Sequence, residues 1–501
     1  VIIAAAALAA AVQAAFHTPR LRHSIVAAEV YDLDTHRVLY AHNEQTLMVP
    51  ASTTKLLTEG TSLALLGPNF RYTTPVYRTG PVDTGGVLHG DLVLVASGDP
   101  NLSQRIQPNG TLAFENEDHA YDGSPGTKAV PGDPLAVLRE LAIQVVKSGI
   151  KSIDGRVLVD ASLFPDQGPE GGTGCIVSPI VVNDNVVDVI VTPGKNPGDP
   201  VAIAVSPQTA YVTFVNKAIT AGSKADATID MSDDVTGADG RHTVTIKGVQ
   251  PAGPSILYAY RVPEPKRFAQ DAFAKALQDA GVSMQPESPA TATAEASPLP
   301  YGTQTLVAQH VSPPLSEDTY ITLKVSDNLH AALLPFMWAV YLAHAKSDYL
   351  RAGFARERSM LRGAGLDLGS AAQQDGEGAF AYFTSDFMVH YLAWAHKQSW
   401  YPMLYRGLPI MGVDGTLVDI QKHSPARGKV HAKTGTNGGT DWLNDGSVVE
   451  KGLAGYMTTR NGHHVAFAFY LSAMLGPHDE ETTAVAGQIL GAMASATYTS
   501  L

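Results

Sequence analysis

A serine and a lysine three positions apart carry the first chemistry legible in this 501-residue chain: Ser52 and Lys55, in Pro50-Ala51-Ser52-Thr53-Thr54-Lys55-Leu56-Leu57. A serine hydroxyl is a poor nucleophile until a base takes its proton, and a lysine amine becomes a base only when desolvation lowers its pKa. Positions three apart are neighbours on one helical face, so a helix starting near Ser52 sets amine beside hydroxyl. Pro50 bars a helix interior upstream, while Leu56, Leu57, Leu63 and Leu66 give an apolar face ending at Gly67-Pro68. Ser52 is therefore expected at or near a helix N-terminus, where unbonded N–H groups favour negative charge. The pattern alone is short, and an N-cap serine followed by a solvated lysine would satisfy it equally.

Two later stretches add to it. Ser326-Asp327-Asn328 opens an apolar helical segment, and Lys433-Thr434-Gly435-Thr436 closes the strand expected over residues 428–433. Each has a plain structural explanation, a helix cap and a strand end turning at glycine. Together, in the order Ser-x-x-Lys, Ser-x-Asn, Lys-Thr-Gly, they form the set used by enzymes that make an ester on the serine.

With that trio the chain resembles the low-molecular-mass class C penicillin-binding proteins, the D-alanyl-D-alanine carboxypeptidase/endopeptidase family. The resemblance extends over roughly residues 24–475 and includes Gly98-Asp99-Pro100-Asn101-Leu102, Asp154-Gly155-Arg156-Val157-Leu158-Val159-Asp160, Asn183-Asp184-Asn185 and Leu408-Pro409-Ile410-Met411-Gly412-Val413-Asp414-Gly415-Thr416-Leu417. Two places depart from the family pattern. Glu377 stands where family members often carry a serine, which implies a carboxylate near the cleft rim. His330-Ala331-Ala332 follows Asn328 where an acidic residue is usual.

The resemblance implies acyl transfer through Ser52 with Lys55 as base, Ser326 relaying a proton to the leaving amine and Asn328 orienting Lys55 and the substrate amide. It also implies that Lys433, Thr434, Gly435 and Thr436 bind the substrate's terminal carboxylate. The backbone N–H groups of Ser52 and Thr436 would form the oxyanion hole. The implied substrates are peptidoglycan stem peptides, with β-lactams as mimics and no metal or organic cofactor. Rival readings are a serine esterase or β-lactamase on the same scaffold, and a non-catalytic cell-wall binding module.

The elements that must position these groups follow a coarse order. A hairpin is expected over 26–31 and 38–41, then the Ser52 helix, and late strands over 428–433, 453–458 and 464–471 before a closing helix over 481–495. Strands from both ends can share one antiparallel sheet flanked by helices, including apolar segments at 327–344 and 385–396. Between them the texture turns to short β-rich runs broken by Gly and Pro, with helices over 135–148 and 268–280 and a Pro/Ala/Ser/Thr linker over 285–300. The fold class is therefore α/β: a penicilloyl-serine-transferase-like domain (20–69 and 301–501) interrupted by a large β-rich insertion over 70–300, expected as two subdomains.

Residues 1–19 begin with a nearly unbroken apolar run to Ala15, read as a truncated export signal or N-terminal segment, and they suggest a periplasmic or envelope location. No other stretch is apolar enough to span a bilayer, so no stable membrane span is expected in the mature chain. The net charge of −13 argues against a nucleic-acid partner. The single cysteine, Cys175, excludes a disulfide framework and reads as a buried thiol. No Gly-x-Ser-x-Gly elbow supports a Ser-His-Asp triad, and His431 is expected on the same strand face as Lys433.

Overall fold

The computed structural model describes residues 2–285 and 305–501, with side chains from residue 6 onward; beyond Gln285 the expected linker lies outside the described residues. The chain divides into two compact units, residues 1–70 with 314–501, and residues 71–313.

The first unit is built on five antiparallel strands. Strands β1 (Ile25–Asp32) and β2 (Arg37–His42) come from the start of the chain. Strands β3 (Val430–Asp441), β4 (Gly446–Thr458) and β5 (His464–Gly476) come from its end, and the order is β2-β1-β5-β4-β3. Alternation along β1 sends Val26, Ala28 and Val30 to one face, and Ala27 and Glu29 to the other. The first face packs Phe467, Phe469 and Leu471 of β5 against α1 (Ile2–Phe16) and the C-terminal helix Asp479–Ser500. The apolar start of the chain is thus a helix that contributes Leu8, Val12 and Phe16 to this core.

The opposite face carries the helices that matter for the site. Residues Ala51–Thr54 form a 3₁₀ turn that runs straight into α2 (Lys55–Leu65), whose Leu56, Leu57 and Leu63 are buried there. After the second unit come α3 (Leu315–Val325), α4 (Asn328–Met337), α5 (Tyr349–Gly363) and α6 (Ser385–Ala395). The helix expected over 327–344 is α-helical only to Met337 and then widens into a π turn, Trp338–Leu342. Pro335 has no N–H to continue the α-helical ladder, and a local change of helix pitch accommodates it.

The second unit is β-rich. Its four-stranded sheet pairs Leu306–Val311 with Thr73–Arg78, so that the first and last strands of the unit are hydrogen-bonded neighbours. That pairing is why the compact unit closes at 313 rather than near the linker. A second sheet holds Ile256–Arg261, Val186–Thr192 and Ala202–Ser206, and helices Ala136–Lys147 and Pro265–Asp279 fill the main core. Cys175 is buried in this unit.

Candidate active site

Four elements of the first unit converge on Ser52. The 3₁₀ turn and α2 hold Ser52 and Lys55 one turn apart, and Lys55 Nζ lies 2.8 Å from Ser52 Oγ. The α3–α4 corner supplies Asn328, whose side-chain oxygen accepts from Lys55 Nζ at 2.5 Å. Ser326 adopts a left-handed conformation (φ 66°) that ends α3, and the Asp327 carboxylate then caps α4 by accepting from His330 N at 3.0 Å. The middle residue of Ser-Asp-Asn is thus a structural cap, which leaves Ser326 and Asn328 for the cleft.

The third contact to the lysine is one that motif reading does not find. The backbone oxygen of Glu377 accepts from Lys55 Nζ at 3.2 Å. The turn around it is fixed by the Asp375 carboxylate, which accepts from the N–H groups of Gly378, Ala379 and Phe380. Glu377 itself is buried, at 6% exposure, so the expected carboxylate on the cleft rim is corrected. The loop folds inward because Thr58 donates to the Gly376 carbonyl at 2.7 Å and Gly378 takes a positive φ against Ala51.

Strand β3 provides the remaining wall. It runs through Lys433-Thr434-Gly435-Thr436 to Asp441, paired with β4 along its whole length, and so does not end at the motif as expected. Gly435 therefore answers a need other than a turn. A Cβ there would collide with the Pro50 carbonyl and crowd Ser52 N, so only glycine lets the strand approach the backbone at Ser52. Lys433 Nζ donates to Ser326 Oγ at 2.7 Å and to its neighbour's carbonyl, Thr434 O, at 2.9 Å. Thr434 Oγ1 donates to Thr416 Oγ1 at 2.7 Å, which ties the strand to the 408–417 segment. That segment is held in turn by Lys324, which pairs with Asp414 at 2.7 Å. His431 stacks on Tyr405 at 4.5 Å between ring centroids.

Thr436 has a partner that no motif announces. Lys451, directly opposite it on β4, donates from Nζ to Thr436 Oγ1. Only the cross-strand register brings these two together, because 15 residues of hairpin separate them. Burial pushes the Lys451 amine down to about 8, against the pull of Asp479. Burial, and then the charges of Lys55 and Lys451, hold the Lys433 amine well below the usual lysine value. One turn beyond Lys55 on α2, Glu59 is fully buried, accepts from Thr319 Oγ1 at 2.7 Å, and has its carboxyl pushed up by burial and by Asp318.

The site thus gathers Ser52, Lys55, Ser326, Asn328, Lys433, Thr434, Gly435 and Thr436 from three separate stretches. Burial holds the Lys433 and Lys451 amines below the ordinary lysine value, and like charge adds to it at Lys433.

Known proteins share this chain's organisation. The D-alanyl-D-alanine carboxypeptidase of Actinomadura sp. strain R39 is 26% identical over 475 residues, covering 90% of this chain and 80% of that protein. The D-alanyl-D-alanine carboxypeptidase DacB of Haemophilus influenzae is 24% identical over 462 residues, covering 88% and 84% respectively. In fold, the crystal structure of penicillin binding protein 4 (dacB) from Haemophilus influenzae, in complex with a β-lactam, matches with a TM-score of 0.70 at 23% identity, over 98% of this chain and 99% of that one. The family model of the D-Ala-D-Ala carboxypeptidase 3 (S13) family matches residues 8–493. With nearly its whole length matched, the chain belongs to the D-Ala-D-Ala carboxypeptidase 3 (S13) family and is a serine-type D-Ala-D-Ala carboxypeptidase.

Proposed function

We propose that this peptidase removes the terminal D-alanine of peptidoglycan stem peptides through an ester on Ser52, with Lys55 as the base. The observation that carries the reading is the set of partners around Lys55. The Asn328 side-chain oxygen and the Glu377 carbonyl only accept hydrogen bonds, whereas Ser52 Oγ can also donate. A neutral amine has two N–H bonds and one lone pair. The two carbonyls take the N–H bonds, and the lone pair faces the Ser52 hydroxyl.

The steps follow from that geometry. Ser52 Oγ attacks the carbonyl carbon of the penultimate D-alanine while its proton passes to Lys55. The N–H groups of Ser52 and Thr436 hold the oxyanion, and Gly435 gives the strand the clearance to bring the second donor close. Collapse expels the terminal D-alanine, whose amine takes, through the Ser326 hydroxyl, the proton that Lys55 removed from Ser52; Lys433 holds Ser326 at 2.7 Å. Water then hydrolyses the ester and returns Ser52 to its starting form. The substrate's terminal carboxylate is received by Lys433, Thr434 and Thr436. Its negative charge offsets the neighbouring cations that add to burial in lowering the Lys433 pKa, and so favours the ammonium there. Each step uses a side chain or backbone group of this chain, with no metal or organic cofactor. The same chemistry on a cross-link gives endopeptidase activity, and a β-lactam acylates the same serine as a mimic.

These substrates imply export to the cell envelope. Among the described residues no helix is long and apolar enough to cross a membrane. The partners are stem peptides and β-lactams; the net charge of −13 disfavours nucleic acid.

Mass spectrometry after penicillin treatment tests the assignment. One adduct on the peptide carrying Ser52 supports it, and undiminished labelling of Ser52→Ala overturns it. Rapid penicillin turnover with no cleavage of D-Ala-D-Ala peptides would favour the β-lactamase or esterase reading. No adduct at all would favour a non-catalytic module.

A further inference from the structure

Away from the reactive serine, strand β1 places an acid where its alternation calls for an apolar side chain. Glu29 lies between Ala27 and Tyr31 on the sheet face that packs under α6, and it is fully buried. Its cross-strand neighbours are Ala41 on β2 and Ala468 on β5, so the sheet supplies nothing to answer a carboxylate. Neither Oε1 nor Oε2 has a hydrogen-bond partner among the described residues. A buried carboxyl lacking any partner is a costly feature that calls for an explanation, a bound water or ion among them.

Helix α6 answers from above. Asp386 and His390 are one turn apart on its first half, with the His390 ring held by the Asp386 carbonyl at 2.8 Å. One ligand atom from each of Glu29, Asp386 and His390 lies within 4.8 Å of the other two. The cluster opens onto a cleft of about 400 Å³ lined by Asp386, His390, Tyr31 and Asp367.

We propose that Glu29, Asp386 and His390 hold a divalent transition-metal cation that fastens α6 to β1. Two carboxylates and one imidazole suit zinc best, with cobalt and manganese as close substitutes, since hard oxygen-only cations have no use for the imidazole. Two carboxylates also balance the double charge, so the filled site is neutral against the core. Ligand atoms around tetrahedral zinc stand roughly 3.3 Å apart, given metal–ligand bonds of about 2.0–2.1 Å. Asp386 Oδ1 and His390 Nδ1 already stand 3.4 Å apart, and both side chains are partly exposed. The cleft admits a water as the fourth ligand. The role is structural: Phe383, two residues before α6, pairs with Met48 on the segment that leads to Ser52.

The full-length protein, stripped with EDTA, is titrated with zinc chloride and followed by calorimetry and thermal melting. Cobalt(II) absorption gives a second readout. One zinc per chain and a melting rise on the order of 5 °C at a hundredfold excess over Kd are expected. His390→Ala and Asp386→Asn alter partly exposed side chains, fold normally and lower the affinity at least tenfold. Glu29→Gln does the same and loses the cobalt spectrum. Absence of stoichiometric binding by the parent protein overturns the proposal, as does parental affinity in His390→Ala and Asp386→Asn. If Glu29→Gln does not fold, those two variants decide. Penicillin labelling of Ser52 is unaffected in the exposed variants, so failure of this site is separable from failure of the catalytic assignment.

Discussion

Replacing Asn328 by aspartate tests whether Lys55 works as a neutral base. The change keeps the side chain's shape and places a carboxylate oxygen where the amide oxygen now accepts from Nζ at 2.5 Å. At a separation of roughly 3 Å and an effective dielectric near 20, a carboxylate favours the ammonium by about 5 kcal/mol, equivalent to about four pKa units. An ammonium cannot take the Ser52 proton, so acylation by a fluorescent penicillin at pH 7 should fall by about 10³-fold or more and recover as pH rises towards 10. Asn328→Ala instead leaves one buried N–H without its acceptor, a loss of about 1–3 kcal/mol, or roughly 5- to 150-fold, at every pH. Acylation rates across pH 6–10 separate the two. An Asn328→Asp enzyme within threefold of the parent at pH 7 would refute the role given to Lys55. Asn328→Asp and Asn328→Ala profiles of the same shape would refute the electrostatic argument.

Three further outcomes follow from other parts of the first unit. Lys451→Met removes the cation bonded to Thr436, whose pKa of about 8 means that its charge is present at pH 6 and lost as pH passes 8. KM for D-Ala-D-Ala peptides should rise about tenfold at pH 6.5 and lose its inflection near pH 8, while turnover of a short ester without a carboxylate stays the same. Glu357 is buried, accepts from Thr61 Oγ1 at 3.0 Å and has its carboxyl raised to about 7 from 4.5 by burial. The folded state therefore holds its proton more tightly, giving stability that is complete below about pH 4.5 and lost as pH rises through about 7. Denaturant unfolding of Glu357→Gln between pH 4.5 and 8 should show that pH dependence reduced by on the order of 3 kcal/mol; an unchanged slope would contradict the burial argument. Leu8→Ala should cost about 2–5 kcal/mol in thermal or denaturant unfolding, because Leu8 is fully buried in the core shared by α1 and the sheet. A change below about 0.5 kcal/mol would mean that α1 is not part of the folded body.

Sequence alone settled the matters that depend on local order. Pro50, the leucine spacing after Lys55 and the glycine at 67 specify a helix and its phase, because both are properties of neighbouring residues. The strands at the two ends of the chain were legible from their apolar runs, and the family from short motifs kept in order. Tertiary structure alone decided what depends on register and on backbone from elsewhere. Strand β3 continues past Lys-Thr-Gly because β4 pairs with it as far as Asp441. Glycine at 435 answers an approach by Pro50 and Ser52, not a turn. The Glu377 carbonyl reaches Lys55, and Lys451 reaches Thr436, through contacts made by a folded loop and a strand register. Glu29 is enclosed only by the packing of α6 over β1. A linear pattern records which side chains are available, but the distance between two of them far apart in sequence is set only when the chain closes on itself.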